Sequence, residues 1–257
     1  MAGNGTILVT GGAGFIGANL TAMLLEAGAR QVVVLDLLTY AGSLSNLAGL
    51  LDDERLHFHQ VDVNDRDAVD TILAGHRPNG VIHLAAETHV DRSIDDPEPF
   101  IRTNINGTCS MLQSCRRYLR DCDASHRDRF RFVHVSTDEV YGSVDGDAAC
   151  NEAAPFAPNS PYAASKAAAD HMVRAFNRTY RFPAIITRSA NNFGPFQFPE
   201  KLIPLILLNC LEGRDLPVYG DGGQVRDWLY VDDHCRGLVL ALEDGRPGEE
   251  YNLGAGN

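Results

Sequence analysis

The segment that most limits what this chain can fold into lies near its N-terminus. Ile7-Leu8-Val9-Thr10 is a short apolar run that leads directly into Gly11-Gly12-Ala13-Gly14-Phe15-Ile16-Gly17. Glycines at this spacing, after a strand and before a helical pattern, serve a tight turn, close approach to a pyrophosphate and close helix–strand packing. The phosphates then rest on the helix N-terminus, where free N–H groups and the dipole favour anions. The glycine pattern alone is weakly specific, and its context is what restricts it. Asp36 closes the next apolar run, about 20 residues on, where the dinucleotide fingerprint places an acid. A carboxylate there accepts from ribose hydroxyls and repels a 2′-phosphate, so NAD is expected and NADP is not. Asp62-Val63 ends the third apolar run, where an adenine would lie; strand-end Asp residues are also ordinary turn formers, so only position favours it.

Short β-branched runs then alternate with longer helical patterns, which predicts parallel βαβ units. Strands are expected at Thr6–Thr10, Gln31–Asp36, Leu56–Val61, Gly80–Leu84, Phe130–Ser136 and Ala184–Arg188. Helices are expected at Phe15–Ala27, Arg66–Ala74, Pro99–Arg120 and Pro161–Arg181. The fold class is therefore α/β, a doubly wound parallel sheet spanning residues 1–188. After Arg188 the density of Gly and Pro predicts a loop-rich region, 189–257, that forms a smaller substrate lobe.

Composition removes several function classes. A net charge of −12 argues against a nucleic-acid binder, which needs a basic surface. No apolar run approaches the roughly 20 residues of a membrane span, and the N-terminus enters its first strand too early for a signal peptide. Six cysteines without a C-x-x-C pair predict a reduced, cytoplasmic chain with no metal site.

Tyr162 and Lys166 form Y-x-x-x-K at the start of a predicted helix, on one face of it. An ammonium below a phenol, with a nicotinamide charge nearby, is expected to lower the Tyr162 pKa and make it a base. The fifth predicted strand delivers Thr137, Asp138 and Glu139 at its carboxyl end, where open α/β sheets bind ligands. Thr137 and Tyr162 are expected to face each other across one cleft.

Together GGAGFIG, STDEVYG, YAASK and RDWLYVDDH resemble the extended short-chain dehydrogenase/reductase family, with its Rossmann fold, from end to end of the chain. The adjacent acids are the discriminating feature. A 4-epimerase oxidises, rotates and reduces its sugar, whereas eliminating water across C5 and C6 also needs a base and an acid. The resemblance implies Glu139 as the C5 base, Asp138 as the C6 acid, and Thr137 bonding the C4 oxygen alongside Tyr162. It places cofactor contacts at Gly11, Gly14, Phe15, Ile16, Gly17, Asp36, Leu37, Leu38, Thr39, Asp62 and Val63. Further cofactor contacts are implied at Leu84, Ala85, Ala86, Thr88, Thr103, Tyr162, Lys166 and Asn192. For the substrate it implies Thr88, Thr137, Asn191, Lys201, Leu202, Pro217, Val218, Tyr219 and Arg226, the last on the diphosphate. TYAGSLSNL, NNFGPFQFPEKLIP and QVRDWLYVDDHCRG are closer to dTDP-glucose 4,6-dehydratases than to GDP-mannose or UDP-sugar relatives. The implied function is conversion of dTDP-glucose to its 4-keto-6-deoxy form by a homodimer carrying NAD. A non-catalytic NAD-binding protein is the alternative from another class, since family members extend past the position matching Asn257 and part of the lobe is expected to be missing.

Overall fold

The computed structural model describes residues 5–143, 150–218 and 220–256. Among them are nine strands: β1 (Thr6–Thr10), β2 (Gln31–Asp36), β3 (Leu56–Gln60), β4 (Gly80–His83), β5 (Arg131–Thr137), β6 (Ala184–Ser189), β7 (Asn191–Phe193), β8 (Trp228–Tyr230) and β9 (Glu250–Leu253). The helices are α1 (Phe15–Glu26), α2 (Arg66–His76), α3 (Val90–Asp95), α4 (Glu98–Phe100), α5 (Thr108–Arg120), α6 (Ala124–Arg129), α7 (Pro161–Tyr180), α8 (Leu202–Glu212) and α9 (Val231–Asp244).

Seven strands form one parallel sheet in the order β3-β2-β1-β4-β5-β6-β9. Strands covered on both faces must be apolar throughout, which is why β1 and β2 read as continuous hydrophobic runs. Their alternation nevertheless sorts the core into two layers. Ile7, Val9, Val32 and Val34 pack with Leu20, Leu24, Leu238 and Leu242 of α1 and α9. Leu8, Val33 and Val81 pack on the opposite face with Leu73, Met111 and Val173 of α2, α5 and α7. Strand order reverses between β1 and β4, so the turn after β1 opens at the switch point of the sheet, where such folds bind ligands.

Three expectations are modified. The single helix expected over Pro99–Arg120 is interrupted by a wider π-helical segment, Ile101–Gly107, between α4 and α5. Asn104 on that segment is buried; its amide donates to Ser165 Oγ at 2.8 Å, which ties the segment to α7. Residues after Arg188 are less loop-rich than their Gly and Pro content predicted. Pro204 sits in the first turn of α8, where no intrahelical N–H bond is lost. The division at Arg188 is also cut across, because α9 packs on α1 and β5 and β9 pairs with β6. What stands outside the main sheet is the run from β7 to β8, held by its own two-stranded parallel pairing.

Three of the four histidines buried among the described residues, His83, His134 and His234, have lowered pKa values. Burial and the Lys166 ammonium push His134 down to about 4, with Asp170 opposing them, and burial alone takes His234 to about 4. His83 is held well below its usual value by burial and by His134. An imidazole whose pKa is lowered on folding stabilises above its unfolded pKa of about 6.5 and ceases to do so as pH falls. Stability should be level near pH 7 and fall as pH drops from about 6.5 towards 4. The carboxyls of Asp36, Glu87, Asp138 and Glu139, raised by burial, act in the opposite sense at the acid end of that window. Denaturant melts between pH 7.5 and 5.5 test this; a midpoint that rises across that interval contradicts it.

Candidate active site

The glycine turn is built from positions that accept no side chain. Gly11 has φ +70°, and a Cβ there would lie 2.8 Å from the Ala85 backbone nitrogen. A Cβ on Gly17 would fall 2.2 Å from the Gly11 carbonyl oxygen, so α1 presses directly on the turn. Gly14 precedes α1 with no side-chain cap, leaving the first N–H groups of the helix free for an anion. Gly17→Ala is expected to displace the turn and weaken NAD retention at least about tenfold, by analogy with the few kcal/mol that overpacking costs. Nucleotide released on denaturing equal amounts of variant and parent measures it; equal recovery contradicts the packing argument.

Asp36, at the end of β2, accepts from the Ala13 N–H at 2.9 Å and the Leu38 N–H at 2.8 Å. Burial raises its pKa although both N–H groups oppose this. Each oxygen keeps a lone pair, so two ribose hydroxyls can still be received. Leu38, at φ +57°, packs against the apolar core, while Leu37 and Thr39 line the wall. Asp62 also lines it, anchored by Arg102 at 2.8 Å. Val63, Leu84, Ala85, Ala86, Thr88 and Thr103 complete this cavity with Phe15 and Ile16. A glycine cradle that a Cβ would fill, an uncapped helix end and a buried acid are what a dinucleotide requires, so the residues present fit NAD.

Sequence reasoning missed the far wall. Gln197, Phe198 and Glu200 cross over the cavity, and Lys201 lines it too, donating to the Thr88 carbonyl at 2.9 Å. Tyr40 donates to Glu200 at 3.1 Å, and the Arg92 guanidinium lies 3.7 Å over the Tyr40 ring. Of Gln197, Phe198, Glu200 and Lys201, the family resemblance implies a role for Lys201 alone, and places it on the substrate side.

Beyond this cavity β5 and α7 converge. Ser160 caps α7 by accepting from Ala163 N, with Pro161 in the first turn, and this sets Tyr162 at the helix start. Thr137, the last residue of β5, reaches both the Tyr162 phenol and Asp138 Oδ1, the latter at 3.3 Å. Asp138 and Glu139 follow in a tight 3₁₀ turn, Asp138–Tyr141. Burial raises both carboxyls, and the Asp138 charge raises Glu139 further, while Lys201 and Arg226 oppose that shift. Arg226 is exposed, and its guanidinium donates to the Val225 carbonyl.

The expectation for Tyr162 is corrected. Its pKa is raised, by burial and then by the Glu139 carboxylate, with Thr137 opposing. The Lys166 ammonium donates to the Val135 carbonyl at 2.7 Å, and burial lowers Lys166 itself to about 8. Asn192 is outside the cofactor cavity: its amide donates to the Ala190 carbonyl at 2.9 Å, and its Oδ1 is buried without a partner. Asn191 pairs with Trp228 between β7 and β8. Leu202 and Val218 are exposed and Pro217 half-buried, away from that cavity; Tyr219 lies outside the described residues.

The sequence matches the family described as GDP-mannose 4,6 dehydratase over residues 8–257. The chain belongs to this family. Within the family it is 53% identical over 256 residues to dTDP-glucose 4,6-dehydratase of Neisseria gonorrhoeae, covering 99% of this chain and 74% of that protein. It is 50% identical to dTDP-glucose 4,6-dehydratase 1 of Escherichia coli K12, covering 98% and 72%. The solved dTDP-glucose 4,6-dehydratase DesIV of Streptomyces venezuelae, which holds NAD, superposes with TM-score 0.90 at 48% identity, covering 96% of this chain and 75% of that one. The UDP-glucose 4-epimerase of Thermotoga maritima superposes almost as well, TM-score 0.87, at 32% identity, covering 98% and 77%. The fold is thus shared by dehydratases and epimerases, and the reaction must be read from the site.

Proposed function

We propose that this chain is an NAD-dependent dTDP-glucose 4,6-dehydratase. One observation carries the reading: two adjacent carboxyls, both pushed towards their protonated forms, stand at the end of β5 beside the Thr137–Tyr162 pair. The names of its relatives support the nucleotide. When bound, NAD supplies the acceptor for the C4 hydride, returns that hydride to C6, and brings a positive ring that favours the Tyr162 phenolate.

Tyr162 takes the C4 hydroxyl proton, leaving a carbonyl that makes the C5 hydrogen acidic. Glu139 removes that hydrogen as a proton. Asp138 gives its own proton to the C6 hydroxyl, which departs as water. Glu139 then returns a proton to C5. After one turnover Tyr162 holds a proton that Asp138 lacks. Thr137, within reach of both, can pass it across by accepting from the phenol and donating to Oδ1, which restores the starting state. Lys166, fixed by the Val135 carbonyl, holds a positive charge beneath the site. Ribose binding falls to Asp36, the sugar to Thr88 and Asn191, and the diphosphate to Arg226 with Lys201 nearby. Leu202, Pro217, Val218 and Tyr219 would wall the nucleoside.

Incubation with dTDP-glucose in deuterated water tests the reaction. The expected product is a 4-keto-6-deoxy sugar with one solvent deuterium at C5. Formation of the C4 epimer without loss of water, or preferential turnover of GDP-mannose, would replace this reading with an epimerase or a GDP-sugar enzyme.

A cytoplasmic setting is consistent with free thiols, and no helix among the described residues is long and apolar enough to cross a membrane. Homodimerisation through α5 and α7 also belongs to this reading. Outward positions on α7 include Ala164, His171 and Ala175, whereas Phe176 packs into the core with Val173 and Phe182.

A further inference from the structure

At the pole opposite the cofactor cavity, the C-terminal ends of α5 and α7 meet the starts of β5 and β6 around a cleft of about 740 Å³. Five arginines line it, Arg116, Arg120, Arg127, Arg131 and Arg181, against one carboxylate, Asp128. In a chain of net charge −12 this is a strong local reversal of sign. Among the described residues none of the five is ion-paired to a carboxylate, whereas Arg55, Arg92, Arg102, Arg117, Arg174, Arg188, Arg214 and Arg236 all are.

Two of these guanidinia are held by backbone carbonyls instead. Arg127 donates to the Cys122 carbonyl, and Arg131 donates to the Asp128 and Phe130 carbonyls, both at 2.9 Å. The Nε of Arg131 is buried without a partner. Arg116 lies 3.7 Å over the Tyr180 ring. Basic residues at helix C-termini complement the dipole, and that accounts singly for Arg120 of α5, Arg127 of α6 and Arg181 after α7. It does not account for Arg116, short of the last turn of α5, or for Arg131 of β5, which converge on the same space. Nor does it account for the apolar wall of Leu119, Phe182, Pro183 and Pro247 beside the exposed Tyr180 ring.

We propose that this cleft binds a nucleoside triphosphate, the arginines taking the phosphates and the Tyr180–Pro247 side taking the base. Guanidinium forks match phosphate oxygens in pairs, and five positive charges against one negative suit a triphosphate. The volume is within the range of small-ligand sites, about 300–1,000 Å³. Nucleic acid is disfavoured, since the chain as a whole carries a net charge of −12.

The test uses the NAD-loaded protein saturated with dTDP, so that both other nucleotide sites are filled. Calorimetric titration with ATP is expected to show one site per chain, and inorganic tripolyphosphate to bind the same site more weakly. Arg120→Gln with Arg181→Gln should weaken both ligands at least about tenfold, two charge-assisted contacts being lost, while NAD content and turnover of dTDP-glucose stay unchanged. Absence of ATP binding, or equal affinity in parent and double variant, overturns the site. ATP binding no tighter than tripolyphosphate overturns its nucleoside half. The double variant also separates this site from the dehydratase reading, because ATP entering an unfilled substrate pocket would be indifferent to Arg120 and Arg181.

Discussion

Tyr162→Phe is expected to reduce dTDP-glucose turnover about 10²–10⁴-fold, the range for loss of a positioned general base, while NAD retention and melting temperature stay close to those of the parent. The phenol oxygen contributes little to packing, since the Tyr162 ring is already seated edge-on against Phe100 and the helix start is fixed by Ser160 and Ser93. What the variant removes is the acceptor for the C4 proton and one end of the Thr137 bridge. Glu139→Gln separates the steps. It should suppress solvent deuterium entry at C5 by a similar factor while single-turnover reduction of the bound nicotinamide remains visible at 340 nm as about the parent amplitude. Unchanged C5 exchange would show that Glu139 is not the base. Because Tyr162 sits high in the structure through burial and the Glu139 charge, Glu139→Gln should also ease ionisation of Tyr162 and move the basic requirement for C4 oxidation to lower pH.

Arg188→Met is expected to cost about 3–5 kcal/mol, the range for removing one partner of a buried ion pair, and to leave little folded protein at body temperature. The Arg188 side chain is 1% exposed. It donates to Asp170 Oδ2 at 2.8 Å, to Glu250 Oε2 at 2.7 Å and to the Tyr141 hydroxyl at 3.0 Å. Its removal strands the Asp170 carboxylate, which is fully buried and otherwise faces His134, 3.4 Å away, and the Ser136 hydroxyl. Glu250 retains Arg174, so the loss should centre on α7 and β5. Denaturant unfolding measures the cost. Adding Asp170→Leu to Arg188→Met should recover a large part of it, since an apolar pair of similar volume leaves no orphaned charge. A double variant no more stable than Arg188→Met would place the cost in lost packing against Tyr141 and Phe156 instead.

The two predictions differ in how far the sequence could have reached them. Gly11 to Gly17, Asp36, the order of the first six strands, and the placement of Thr137 before Asp138 and Glu139 are written in short-range patterns. A strand covered on both faces has to be continuously apolar, a tight turn under a helix has to be glycine, and an acid just past a strand is carried to the sheet's carboxyl edge. Each of these rules acts within a few residues, so each is visible along the chain. Tyr162 and Lys166 were equally legible as a helix pair.

Other features depend on residues far apart in sequence. His134, Asp170, Arg188 and the half-buried Glu250 form one chain of polar contacts only because β5, α7, β6 and β9 are neighbours, and nothing in their spacing announces it. The same holds for β9, which adds to the sheet beyond β6 after more than a third of the lobe has intervened, and for α8, whose Pro204 reads as a breaker until it is seen to fall in a first turn. The sequence alone determined the class of fold and the glycine turn, because local backbone sterics and hydrophobic period select them, and its motifs nominated the candidate reacting side chains by resemblance. Tertiary structure alone decided their charge states and surroundings. Burial and the fields of distant groups set the Tyr162 and Lys166 pKa values, aimed Lys166 at the Val135 carbonyl, and gathered five arginines about one cleft, since desolvation and Coulomb interactions depend on distance through space and not along the chain.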